Sequence, residues 1–88
     1  MIKDKLFIVS HGNCPPCEIV EHIVDDQLPI HDIAVSDDAW KLVQEGKVKA
    51  VPTVLERVGD DYRKCELKIL GDRITIDCNG KHFEIQEK

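Results

Sequence analysis

The sequence predicts an α/β domain with a central mixed sheet and two helices. The order is β-α-β-α-β-β, continued by a C-terminal antiparallel β extension in place of a last helix. Three observations predict it. Apolar runs and helical patterns alternate through the first half, which implies parallel strands with crossover helices. From Lys64 onward apolar residues fall at every second position, the period of a half-buried strand. Two turn signals, Gly71-Asp72 and Asn79-Gly80, divide that region into three strands.

At 88 residues the chain makes one domain, with residues 73–86 as its hairpin extension. It is 42% hydrophobic and 33% charged, a globular balance. A core of this size is marginal, and a covalent staple would help it. The net charge of −5 and the lack of a basic patch with interleaved aromatics argue against nucleic acid. Only four strongly apolar residues follow the first five, too few for a secretory signal, and a membrane span needs roughly 20. The expected compartment is therefore the cytoplasm, where paired cysteines are usually catalytic or metal-bound.

Lys5 to Ser10 is a continuous apolar run, read as a strand covered on both faces. His11-Gly12-Asn13 is a turn. From Cys14 the pattern is helical: prolines are tolerated in a first turn, and Ile19, Val20, Ile23 and Val24 form one apolar stripe. Pro29 ends this helix. Ile30 to Val35 reads as a second strand. Ser36-Asp37-Asp38 supplies N-caps for a helix through Ala39, Trp40, Leu42 and Val43, closed by Gly46. Thr53 to Val58 is a third strand, and Gly59-Asp60-Asp61 a hairpin loop. In the meander that follows, the two-residue turns set the register. They place Ile69 opposite Ile74, Leu67 opposite Ile76 and Cys65 opposite Cys78, then Ile76 opposite Phe83 and Ile74 opposite Ile85.

Cys14-Pro15-Pro16-Cys17 lies between a strand and a helix. Thiol–disulfide exchange needs a thiolate attacker, a second thiol to resolve the mixed disulfide, and access for the partner. A helix N-terminus favours the thiolate of Cys14. Cys17, one turn further in, is then the resolving thiol, and no bound cofactor is required. Glu18 follows directly and works against the thiolate. Pro15 and Pro16 stiffen the turn and remove two backbone donors. The rival is a non-catalytic metal or iron–sulfur module. His11, Cys14 and Cys17 would offer three zinc ligands, but closed zinc sites usually need four and no second C-x-x-C is present.

The strand-Cys14-Pro15-Pro16-Cys17-helix unit, with Val51-Pro52-Thr53 before the third strand, resembles the thioredoxin superfamily and specifically a small glutaredoxin. The resemblance covers Lys5 to about Leu70. It implies a thioredoxin-like fold and a glutaredoxin-like disulfide oxidoreductase. It also implies a cis Pro52 beside the active cysteines and a Val51 backbone that pairs with bound substrate. Electrons would come from glutathione or a flavin-dependent reductase, and the clients would be disulfide-containing proteins, ribonucleotide reductase among them by analogy. Asn13 and Ile8 stand where thioredoxins carry Trp and a buried Asp, which favours the glutaredoxin side. Pro16 stands where glutaredoxins usually have an aromatic residue. The glycine pair that holds glutathione in that family has no counterpart near Lys64-Cys65. Strands in place of the last helix would leave one sheet face partly uncovered, hence a monomer or a weak homodimer.

Cys65 and Cys78 have two readings: small buried hydrophobes, or a second, structural or regulatory disulfide with its Cα atoms about 4.5 Å apart. Trp40 reads as core or helix-interface packing. His11 is a loop histidine that could influence Cys14. Thr53 is a strand former that could touch a substrate backbone. His22, His31 and His82 show no spacing that makes a site.

Overall fold

A computed structural model describes residues 2–88. Among them the elements run β1 (Leu6–Ser10), α1 (Pro15–Val24), β2 (Ile30–Asp32), α2 (Asp37–Gln44), β3 (Thr53–Val58), β4 (Asp61–Leu70), β5 (Arg73–Cys78) and β6 (Lys81–Gln86). The strands form one six-stranded mixed sheet in the order β2-β1-β3-β4-β5-β6. Only β1 and β2 are parallel; β3 runs antiparallel to β1, and each later strand is antiparallel to its predecessor.

This corrects the expected thioredoxin-like architecture of a central sheet with an appended β extension. Strand outweighs helix, 41% to 21%, because the C-terminal strands are integral to the sheet. β4 is ten residues long; its first half pairs with β3 and its second half with β5, so this one strand joins the two parts of the sheet. The fold is a small α/β fold with two helices. The expectation of successive parallel strands also fails at β3. Its first residue, Thr53, lies opposite Val9 at the end of β1, the same end at which β2 stops. The eight-residue α2 and the segment after it therefore bring the chain back to the end it left.

Each sheet face has its own core. Ile8, Val54, Cys65, Ile74, Ile76 and Cys78 lie under Val20, Ile23 and Val24 of α1. Phe7, Val9 and Leu55 meet Ala39 and Leu42 of α2 on the other side, with Ile2 and Val48 closing the cluster. Phe7, Ile8 and Val9 are all fully buried, as a strand covered on both faces requires. The hairpin pairs expected from the turns are all present, with Leu67 opposite Ile76, Ile69 opposite Ile74, and Ile76 opposite Phe83. Asn79 and Gly80 both have positive φ, as a type I′ turn demands. Beyond α2, the same face of β4–β6 presents Lys64, Glu66, Lys68 and Glu84 to solvent. Among the described residues no helix is long and apolar enough to cross a membrane.

Four sequence expectations change locally. α1 stops at Val24, short of Pro29, because Asp25 takes a positive φ as its C-cap. β2 stops at Asp32, because its carboxylate accepts the Ala34 N–H at 2.8 Å and its carbonyl accepts the N–H groups of Val35 and Ser36. That turn leaves Val35 83% exposed instead of in a strand. Trp40 and Ile19 are about half exposed, on the flanks of their helices. β4 begins at Asp61, so the hairpin loop is shorter than read. α2 keeps its expected ends. Ser36 Oγ accepts the Ala39 N–H, and Gly46 and Lys47 donate to Val43 and Leu42 in a Schellman motif.

Two buried polar groups give tests of this packing. Glu56 is 4% exposed on β3, and Lys81 Nζ reaches its Oε2 at 3.2 Å from β6. Lys81→Ala should cost about 1–3 kcal/mol in chemical denaturation, because it strands a buried carboxylate. The exposed Lys88–Asp26 pair is a control. Lys88 holds the Asp26 carboxyl below its usual range, yet Lys88→Ala should leave the melting temperature unchanged. Ser10 is fully buried and its hydroxyl has no partner among the described residues. Ser10→Ala should be neutral or stabilising by up to about 1 kcal/mol, since it removes an unsatisfied group.

Candidate functional site

Cys14 is the N-cap of α1, and Pro15 and Pro16 fill the first two helical positions. Neither proline has an N–H to satisfy, so the turn closes on the donors that remain. Cys17 N–H donates to Cys14 Sγ at 3.2 Å, and Glu18 N–H to the Cys14 carbonyl at 3.1 Å. The sulfur of Cys14 thus occupies the place of a capping Ser or Asp oxygen, with a backbone donor aimed at it. The Cα atoms of Cys14 and Cys17 are 5.1 Å apart and their sulfurs are at bonding distance. Cys14 is half-buried and Cys17 fully buried. An approaching partner therefore meets Cys14 first.

The loop before β3 forms the other wall. The Val51–Pro52 peptide bond is cis. The Val51 carbonyl oxygen lies 3.6 Å from Cys14 Sγ, within reach of a thiol proton when the pair is reduced. Val51 and Pro52 are half-buried. The Thr53 hydroxyl, 4% exposed as a residue, donates to the Ala50 carbonyl and ties the loop across the cis bond. That bond holds the loop, and Thr53 also lines the groove beside Pro52. Pro15 and Pro16 are exposed beside Cys14. All the residues expected at the site, Cys14, Cys17, Pro15, Pro16, Val51, Pro52 and Thr53, meet at one end of the sheet.

A groove of about 420 Å³ runs away from this point, lined by Pro16, Pro52, Thr53, Cys65, Leu67 and Ile69 among others. Sequence reasoning did not assign Leu67 and Ile69 to the site. Their signal was available in the alternation of β4, which continues past the position where β3 begins. A larger cleft of about 530 Å³ lies between α2 and the β3–β4 turn, lined by Asp38, Lys41, Lys47 and Asp61. It holds no cysteine, and Lys47 already pairs with Asp61 there. The smaller groove is the one that adjoins the Cys14–Cys17 turn through Pro16 and Pro52.

The remaining candidates separate from it. His11 is held by the turn, its Nδ1 accepting the Asn13 N–H at 3.1 Å. His22, His31 and His82 each sit against a different carboxylate, of Glu87, Asp4 and Asp77. Among the described residues no three His, Cys, Asp or Glu side chains cluster as metal ligands would. Cys65 and Cys78 face each other across β4 and β5, with Cα atoms 4.6 Å apart and sulfurs at bonding distance.

No family model matches the chain, and neither a curated protein nor a solved structure matches it, so the site stands on its own geometry.

Proposed function

We propose that the protein is a thiol–disulfide oxidoreductase that reduces disulfides through the Cys14/Cys17 dithiol. The observation that supports it best is the asymmetry of the pair: a capping, accessible Cys14 within bonding distance of a fully buried Cys17. Reactive cysteines belong in partly exposed positions with stabilisation for negative charge.

The reduced Cys14 thiolate attacks one sulfur of a substrate disulfide. The substrate S–S bond breaks, a Cys14–substrate mixed disulfide forms, and the first substrate thiolate leaves and takes a proton. The Cys17 thiol gives up its proton and attacks Cys14 Sγ. The Cys14–Cys17 bond forms and the second substrate thiolate leaves. The substrate gains two electrons and two protons, which the dithiol loses. The Cys17 N–H steadies negative charge on Cys14 Sγ, and the Val51 carbonyl is placed to orient the Cys14 thiol. Two glutathiones, or a flavin-dependent reductase acting in the same steps, restore the dithiol. Clients would be disulfide-bearing polypeptides or small disulfides. The setting would be the cytoplasm, with the protein a monomer or a weak homodimer.

The reading is tested by turnover in variants, with glutathione and with thioredoxin reductase as parallel electron sources. Cys14→Ser should remove turnover, a loss of at least about a hundredfold. Cys17→Ser should lose activity that needs the dithiol and keep any monothiol reaction with glutathione. Full activity in Cys14→Ser would sink the mechanism, and stoichiometric zinc or a coloured cluster in purified protein would favour the C-x-x-C metal or iron–sulfur module instead.

A further inference from the structure

The ladder between β3 and β4 ends with Val54 opposite Cys65. The ladder between β4 and β5 runs from Glu66 opposite Asp77 to Leu70 opposite Arg73. Cys65 is therefore the last β4 residue flanked by β3. Past it, residues 66–70 keep β5 on one side, while Leu67 and Ile69 line the groove beside Pro16 and Pro52. At this junction Cys65 is within bonding distance of Cys78, and it lines the same groove itself. Cys65 is 3% exposed and Cys78 fully buried.

We propose that Cys65–Cys78 is a second, protected redox site, and that its closed form holds the groove wall in the shape a polypeptide disulfide needs. The proposal rests on the reading of Cys14–Cys17 as the catalytic dithiol. Exchange requires a thiolate to reach a disulfide sulfur. Cys14 offers that approach; Cys65 and Cys78 offer it only when the sheet opens locally, so their exchange is slower. A dithiol reductant opens the bond by attacking one sulfur and then displacing it with its own second thiol. Cys65 and Cys78 gain two electrons and two protons, and the reductant becomes a cyclic disulfide. Oxidised glutathione closes it: one cysteine thiolate displaces a glutathione, the other displaces the second, and two glutathiones leave.

Opening frees two buried sulfurs to part in a closely packed core. β4 then loses its covalent tie to β5 at the last position where β3 supports it. The wall formed by Leu67 and Ile69 follows. A small disulfide needs only Cys14, whereas an extended polypeptide lies along that wall. The same covalent bond thus serves the sheet as a staple and the groove as a control.

The test has two arms. Fully oxidised wild-type protein is treated with dithiothreitol for graded times, quenched in acid, alkylated in denaturant, and weighed intact and after digestion. Cys14 and Cys17 should be labelled first, with Cys65 and Cys78 following only at long times or when denaturant is present during reduction. Simultaneous alkylation of all four, or free Cys65 and Cys78 in the oxidised protein, would overturn the proposal. In the second arm, Cys78→Ala and wild type carried to four free thiols are assayed on insulin and on bis(2-hydroxyethyl) disulfide. Using both forms frees the result from whether the variant folds. The kcat/KM for insulin should fall about tenfold, while that for the small disulfide stays within about twofold. Equal falls on both substrates, or no fall on either, would overturn the control of docking. A wild type that reduces neither substrate would overturn the catalytic reading and the control built on it, while the order of alkylation still reports on the second disulfide.

Discussion

β1 runs antiparallel to β3 with Val9 opposite Thr53, so the end of one strand meets the start of the other. Cys14 follows the first strand and Pro52 precedes the second. That pairing brings Cys14 Sγ and the Val51 carbonyl within 3.6 Å, although 37 positions separate them in the chain. A slip of one residue would exchange the faces of Phe7, Ile8 and Val9. Because α1 and α2 cover opposite faces, and all three side chains are fully buried, each would then meet the wrong core. The register is held by packing on both sides at once, and the site inherits its position from it.

α1 connects the site to the C-terminal half of the sheet. Its first turn carries the cysteines, and its later turns cover β5 as well as β1 and β3. The C-terminal half of the sheet therefore supports the helix that presents Cys14 and Cys17. The tail adds smaller ties at the other end of α1. Gln27 Nε2 donates to the Gln86 carbonyl at 2.9 Å, and Lys88 pairs with Asp26. These contacts are exposed and contribute little to stability. The apolar surface buried under α1 contributes more.

The parts legible in the sequence were those set by local geometry. Two-residue turns fix which residues face each other, so the pairs around Gly71-Asp72 and Asn79-Gly80, and the approach of Cys65 to Cys78, could be read directly. The N-terminal ends of both helices and the glycine stop of α2 were legible for the same reason, but the end of α1 at Val24 was not. The extent of β2 was not, because Ile33-Ala34-Val35 has strand composition while the Asp32 carboxylate competes for the backbone. Periodicity placed Ile19 and Trp40 on helix faces but could not say where their cover ends. The thioredoxin-like assignment leaned on two short segments, residues 14–17 and 51–53. They describe the vicinity of the cysteines and carry no information on how far β4 runs. The groove was hidden likewise, since it depends on where β3 begins relative to β4, and that is decided by tertiary contacts. Ser10 gave no signal: an ordinary residue at a strand end becomes notable only when buried without a partner.

The most direct measurement of the central claim is an equilibrium titration of the Cys14–Cys17 pair in glutathione buffers of graded ratio, read by alkylation and mass. A reversible dithiol predicts that the two cysteines titrate together as one two-electron couple, with a slope of about 30 mV per decade. A pair that remains fully oxidised or fully reduced across the whole range, or cysteines that titrate separately, would contradict the account.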